Sequence, residues 1–296
     1  MAENSIIQAS KYPWLNAFLR FCPDKLYIRI KWIGRRMPYR LNLANPRTFS
    51  EKLQWIKLYD HNPLYTLLVD KYLVKDYVAQ RIGKEHVIPL LGVWDKVEDI
   101  EWDNLPNQFV LKTNHDCGGL VICKNKSFLN FGEAKAKLQK SMNHNYFYDG
   151  REWPYKNVQP KVFAEAYMED EYGELRDYKF FCFNGEPKFC QLISGRGKKM
   201  CIDFFDHDWK HQPFHEPSWY PFADIEPSRP KNFEQMWVFA RKLAEGKPFS
   251  RIDFYDVSGH IYFGEITFFP TGGMGGFDPI EWDYTFGSWI KLPTDK

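Results

Sequence analysis

The stretch from Arg251 to Thr267, RIDFYDVSGHIYFGEIT, constrains the fold more than any other part of the chain. Ile252 and Phe254 alternate with Arg251, Asp253 and Tyr255, the period-two pattern of a strand with unlike faces. Val257-Ser258-Gly259-His260 supplies turn chemistry. Ile261, Phe263, Glu265 and Thr267 are expected to share one face of the return strand. A turn centred on Gly259 sets Asp253 opposite Glu265 and Arg251 opposite Thr267, and opposite residues of an antiparallel pair point to the same side. Two carboxylates, a guanidinium and a hydroxyl then form one patch. Facing carboxylates repel, so a cation is expected between them, and a hard divalent ion with oxygen ligands is the natural candidate. The competing reading is a surface hairpin with scattered charges.

A chain of 296 residues holds one large domain or two modest ones. At that length roughly three quarters of the unfolded surface is buried, which supports a sizeable core. The formal net charge of +2 argues against a general nucleic-acid binder. No run of about 18 apolar residues occurs, so no membrane span is predicted. The N-terminal MAENSIIQAS lacks a basic segment followed by an apolar core and does not read as a secretory signal. Cys22, Cys117, Cys123, Cys182, Cys190 and Cys201 form no CxxC pair and read as reduced, buried thiols of a cytoplasmic protein.

Residues 11–40 read as a basic helix, with Leu26, Ile30, Ile33 and Met37 at helical spacing among Lys25, Arg29, Lys31, Arg35 and Arg36. Its charges are either a solvated face or a contact for an anionic membrane or polymer. Thr48 or Ser50 is expected to cap a helix through Tyr59. A second helix is expected from Pro63 to Gly83, with Lys71 inside it. Strands follow at HVIPLLGVWD, at Phe109–Lys112 and at Leu120–Cys123, the last two joined by the loop His115-Asp116-Cys117-Gly118-Gly119. Two glycines let backbone N–H groups approach phosphate oxygens closely, with a lysine just before them. The loop lacks the Walker pattern, and an ordinary hairpin turn is the plainer reading.

A lysine-rich helix is expected over Phe128–His144 and a strand over Val162–Met168. Asn184-Gly185 marks a hairpin between Asp177–Phe183 and Glu186–Ser194. Asp206-His207-Asp208 follows a strand, as in metal-dependent glycosyltransferases, and His207, His211 and His215 stand four apart although Pro213 breaks the helix that would align them. A helix from about Asn232 to Gly246 precedes the hairpin, and the glycine-rich loop Phe269–Gly276 follows it with the small side chains of a substrate-facing segment.

This order of elements resembles the ATP-grasp superfamily, and more narrowly its TupA-like branch, whose members sit among capsule and cell-wall polysaccharide genes. TFSEKLQWIKLYD, DKYLVKDYV, FVLKTNHDCGG, REWPYKNVQPKVFAEAYM, DYKFFCFNG and RIDFYDVSGHIYFGEITFFP carry the match, from about residue 45 onward. The resemblance implies an α+β ATP-grasp fold: two lobes with antiparallel sheets gripping ATP, behind a mostly helical N-terminal region. The expected divisions are 1–84, 85–163 (small lobe) and 164–296 (large lobe). It further implies that Lys71 and Lys112 contact ATP phosphates and that Gly118 and Gly119 close on them. Glu165, Ala166 and Met168 would lie at the adenine hinge, and Asp177 and Lys179 beside the ribose or the metal. Asp253 and Glu265 would hold Mg²⁺, with Thr267 where most relatives carry asparagine, and Arg251 would steady the transferring phosphoryl group.

The implied reaction is carboxylate–amine ligation through an acyl phosphate, with an amine or amino acid joined to a carboxylated sugar or peptide-like polymer, in the cytoplasm or at the inner face of the membrane. Nucleic acid is not an expected partner. The rival readings are a sugar kinase on the same fold, a glycosyltransferase using Asp206 and Asp208, and a non-catalytic nucleotide-binding protein.

Overall fold

The computed structural model describes residues 21–216 and 220–293. The first third of the expected basic helix, residues 11–20, lies outside the described residues. Its remainder forms α1, Asp24–Gly34, and stops before residue 40. The expected stripe is buried only in part: Ile30 and Met37 pack half-buried against Tyr27, Ile28 and Trp32, which are buried, while Leu26 and Ile33 face solvent. The larger aromatic surfaces win the interior because they remove more apolar area from water.

Thr48, not Ser50, caps α2 (Phe49–Tyr59) in a reciprocal capping box with Glu51. Ser50 instead meets the buried Asp283 carboxylate, its Oγ 3.1 Å from Oδ1. The single helix expected from Pro63 to Gly83 is two: α3, Leu64–Val69, and α4, Val74–Ile82. Asp70 makes the break by accepting from the backbone N–H groups of Tyr72 and Leu73 at 2.9 and 3.0 Å. An aspartate is a stronger start signal than a helix-interior residue. Lys71 therefore lies in a turn, not inside a helix.

β1 (Leu90–Trp94), β2 (Phe109–Thr113), β3 (Leu120–Cys123) and β4 (Val162–Ala166) form one antiparallel sheet in the order β1-β4-β2-β3. The expected boundary after residue 163 falls inside β4, so the smaller sheet runs to Ala166. Phe109 and Leu111 face α5 (Phe131–Met142) from one side; Val110, Lys112 and Glu165 lie on the other. The short α6 is Phe147–Gly150.

The larger sheet has the order β7-β6-β5-β8-β9, from β5 (Asp177–Phe183), β6 (Glu186–Ser194), β7 (Cys201–Phe205), β8 (Phe249–Val257) and β9 (His260–Thr267). α7 (Phe233–Ala244) covers one face, with Phe180 against Phe233 and Trp237. The opposite face is divided. Its aromatic part joins Phe181, Phe189 and Phe249 to Phe277 and, through α8 (Glu281–Trp289), Phe286. Its polar part is the site.

The β8–β9 hairpin turns on Ser258-Gly259, both at positive φ (52° and 80°), the primed turn that matches strand twist. That turn alone would set Asp253 one residue out of step with Glu265. A bulge between Phe254 and Asp253 absorbs one residue of β9, Gly264, and restores the pairs Asp253↔Glu265 and Arg251↔Thr267. The bulge also corrects the expected face. Ile261 and Phe263 point into the core, whereas Glu265 and Thr267 point the other way, because an inserted residue reverses the alternation.

Candidate active site

Strand register alone gathers the polar residues. One rung of the larger sheet runs Gln191, Lys179, Asp253, Glu265 across four strands, and Arg251 and Thr267 stand opposite each other beside it. Arg251 turns its guanidinium along the strand. Its Nε and Nη2 donate to the two Asp253 oxygens at 2.7 Å each, and Nη2 also reaches Glu265 Oε1 at 2.8 Å and Thr267 Oγ1 at 3.1 Å. Lys179 pairs with Asp253 and, at 3.2 Å, with Asp177, whose other oxygen takes Arg196 Nε at 2.8 Å. The cation expected between Asp253 and Glu265 is thus supplied by Arg251.

These contacts set the charge states. Burial pushes the Glu265 carboxyl up, but Lys71, Arg251 and Lys179 outweigh it and hold the group down at about 2. Burial dominates at Asp253, which rises despite Arg251 and Lys179. Burial is likewise outweighed at Asp177, where Lys179 and Arg196 lower the carboxyl. Glu216, also raised by burial, lies close enough to Arg251 and Lys179 to feel both.

The donor set bears on magnesium unequally. Both Asp253 oxygens are already held by cations. Glu265 is about one third exposed and shares one oxygen with Arg251 and Thr267. Among the described residues no group of three or more His, Cys, Asp or Glu side chains converges as a metal cage. A magnesium ion commonly takes one or two carboxylates and fills its shell with phosphate oxygens and water, and Glu265 with Thr267 fits that partial set.

The glycine loop is anchored. Asp116 accepts from Thr113 Oγ1, from Ser141 Oγ at 2.6 Å and from the Gly119 N–H at 3.2 Å. A Cβ on Gly119 would lie 2.0 Å from Thr113 Oγ1, so this position is a glycine for close packing. Gly118 is exposed at the tip, and so is Cys117, which unlike the other five cysteines is not buried because the loop carries it out of the sheet. The Asp116 carbonyl accepts from Lys71 Nζ at 2.6 Å, and the Lys71 backbone N–H donates to Asn114 O at 3.0 Å, which docks the α3–α4 turn onto the loop.

Lys112 pairs with Glu165 at 2.7 Å on the open face of the smaller sheet. Glu165 also holds Lys75 of α4, and these two ammonium groups outweigh burial to lower its carboxyl. Ala166 ends β4, its N–H donating to Pro89 O at 3.0 Å, and Met168 follows half-buried. Around Lys112 the exposed Leu120 and Ile122 offer apolar surface. The Tyr255 hydroxyl is raised well up by burial and by the Asp177, Glu265, Asp253 and Glu165 carboxylates.

Between the glycine loop of the smaller sheet and the β8–β9 hairpin, Lys71, Arg251, Glu265 and Thr267 line a cavity of about 330 Å³, with Asp116, Cys117, Tyr146, Glu152, Tyr155 and Arg35 among its other walls. The loop after β9 closes it, tied from beneath by Gln54 Nε2 to Gly273 O and Lys57 Nζ to Gly272 O, both 2.7 Å. Lys75, Arg196, Glu216 and Glu152 were missed in the sequence reading. Lys75 alone left a signal, standing at helical spacing with the buried Val78 and Ile82. The aspartates and histidines after β7 do not converge. Asp206 caps its own turn, Asp208 is 93% exposed, and His207, His211 and His215 pair separately with Glu234, Asp203 and Asp278.

Two antiparallel sheets with their covering helices are the α+β architecture of an ATP-grasp fold, and the family match agrees with it. The chain belongs to the TupA-like ATPgrasp family, whose model matches residues 51–291. No curated protein matches. Solved structures similar to it include D-alanine–D-alanine ligase from Bacillus anthracis complexed with ATP (16% identity, 68% of this chain and 53% of that one, TM-score 0.38). Another is D-alanine–D-alanine ligase from Helicobacter pylori (13%, 82% and 69%, TM-score 0.43). A third is the biotin carboxylase domain of the Hydrogenobacter thermophilus 2-oxoglutarate carboxylase with MgADP (16%, 78% and 47%, TM-score 0.41). The chain thus spans about half the length of the first of these. Among the described residues no helix is long and apolar enough to cross a membrane.

Proposed function

We propose that the chain is an ATP-dependent carboxylate–amine ligase that works through an acyl phosphate, joining an amine or amino acid to a carboxylated sugar or peptide-like polymer of the cell surface. The observation that carries this reading is the convergence of Lys71, Arg251, Glu265 and Thr267 on one cavity. Lys112 and the apolar face of Leu120 and Ile122 suit a nucleotide lying in the cleft, its base on the sheet and its phosphates toward Lys71. A magnesium ion held by Glu265 and Thr267 would offset phosphate charge during transfer.

The chain's own residues supply the rest. Lys71, fixed by the Asp116 carbonyl, presents its charge to the transferring phosphoryl group. Arg251, held cationic by Asp253 and Glu265, stabilises the oxyanion that forms when the amine attacks. Lys179 and Arg251 neutralise Asp253, so the row stays charge-balanced while one Glu265 oxygen faces the cavity. Arg35 follows directly on α1 and brings the basic N-terminal segment to the cavity wall, where an anionic acceptor polymer would pass. We place the reaction in the cytoplasm, at the inner face of the membrane where such a polymer is assembled.

A nucleotide-and-metal thermal-shift screen tests the reading. Stabilisation by a non-hydrolysable ATP analogue with Mg²⁺, and none by nucleotide sugars with Mn²⁺, is expected; the reverse pattern refutes it. Hydroxylamine added during turnover should trap a hydroxamate, whereas a sugar kinase would give a stable phosphate ester and no trap.

A further inference from the structure

The cavity has a second pole that the phosphoryl chemistry does not use. Glu152 is 4% exposed and lines the cavity, yet its carboxylate accepts no hydrogen bond and makes no ion pair within 4 Å among the described residues. Two glycines stand beside it: a Cβ on Gly150 would crowd Oε1 at 3.1 Å, and one on Gly272 would touch it at 4.0 Å. The two nearest ammonium groups are spent elsewhere. Lys57 donates to Gln54 Oε1 at 3.0 Å and Gly272 O at 2.7 Å, and Lys71 to Asp116 O. Buried carboxylates are ordinarily hydrogen-bonded or paired, so one aimed into a cavity without a donor calls for a cationic ligand.

Two aromatic walls strengthen that reading. Tyr146 and Tyr155 line the same cavity, their rings edge to face with centroids 4.9 Å apart. Burial and the Glu152 charge hold both hydroxyls in their neutral form. A carboxylate beside neutral aromatic faces is a site for a compact cation, through charge and cation–π attraction together. The same cavity is also lined by Lys71, Arg251 and Arg35, which suit an anion. One cavity thus offers an anionic group and a cationic group places within reach of each other.

We propose that Glu152, with Tyr146 and Tyr155, binds the ammonium group of the incoming acceptor and takes a proton from it. This rests on the ligase reading. The ammonium gives one proton to Glu152 and its nitrogen gains a free pair; the N–C bond forms at the acyl carbon. The C–O bond to phosphate then breaks, phosphate leaves with that electron pair, and it accepts the second nitrogen-bound proton. Burial, partly offset by Lys57 and Lys71 and reinforced by the Asp149 carboxylate of the same cavity, lifts the Glu152 carboxyl to about 7, which makes it a stronger proton acceptor than an exposed glutamate.

The test uses methylammonium chloride as probe, with the full chain, Mg²⁺ and a non-hydrolysable ATP analogue, against sodium chloride at matched ionic strength. Methylammonium is expected to stabilise the native chain in thermal shift. Glu152→Gln should weaken that response at least tenfold while keeping the response to the ATP analogue, which reports folding. Tyr146→Leu, which removes a ring and no charge, should weaken it as well. A native chain that responds to the analogue but not to methylammonium overturns the inference and leaves the ligase reading standing, as does an unchanged response in Glu152→Gln. A native chain that does not respond to the analogue overturns both.

Discussion

Glu165→Gln is the sharpest test of how the cleft is held together. In the folded chain the Glu165 carboxylate carries two ammonium groups, Lys75 and Lys112, whose side chains are 10% and 24% exposed. The amide keeps the shape and removes the charge, so Lys75 is left as a buried cation over the Phe163 ring with no carboxylate. Breaking one side of a buried pair costs about 3–5 kcal/mol. For a chain of this size each kcal/mol moves Tm by about 2 °C, so a fall of roughly 6–10 °C is expected by circular dichroism. Lys75→Met/Glu165→Gln should lose less than the sum of its single variants, with a coupling of about 1–3 kcal/mol.

The pH dependence adds an independent check. Glu165 is lowered in the folded chain from its ordinary 4.5. Its contribution is therefore present above about 4.5 and is lost as pH falls through the lower folded value. The gap in Tm between native and variant chains should be full at pH 7 and should shrink below pH 4.5. A variant within about 1 °C of the native chain at pH 7, or a gap that widens in acid, refutes the account. Weaker stabilisation by the ATP analogue should accompany the loss, because Glu165 also positions Lys112.

Gly119→Ala forces a methyl against Thr113 and Ser141 and should cost about 1–3 kcal/mol by denaturant unfolding. Unchanged stability would mean that the loop is not anchored on Asp116. Asp208→Ala should leave ATP-dependent activity intact, whereas Glu265→Gln should abolish it; the opposite pattern restores the glycosyltransferase reading. Thr267→Val removes the hydroxyl that joins Arg251 and Glu265 while preserving shape. It should raise the Mg²⁺ concentration needed for half-maximal activity without moving Tm by more than a few degrees.

Much of this was written locally. The alternation in β8 and the turn residues at Ser258-Gly259 depend only on near neighbours, so the hairpin and its facing carboxylates could be read from residue order. Asn184-Gly185 and the Thr48 capping box are local for the same reason. Where two local signals competed, tertiary packing chose: Asp70 broke one expected helix into two, and Tyr27 and Trp32 displaced Leu26 and Ile33 from the interior of α1.

What no local pattern could supply was the partner of each charge. Lys75 meets Glu165 only because α4 packs beside the smaller sheet, Lys112 only because β2 pairs with β4, and Lys179 meets Asp253 only because β5 pairs with β8. The Gly264 bulge keeps Asp253 facing Glu265 while turning Ile261 and Phe263 inward, a one-residue adjustment that alternation alone cannot show. Residue order determined the strands, turns and caps, which rest on backbone preferences over a few residues. Tertiary structure decided which carboxylates are paired and which, like Glu152, face an open cavity, because pairing and burial depend on residues far apart in the chain.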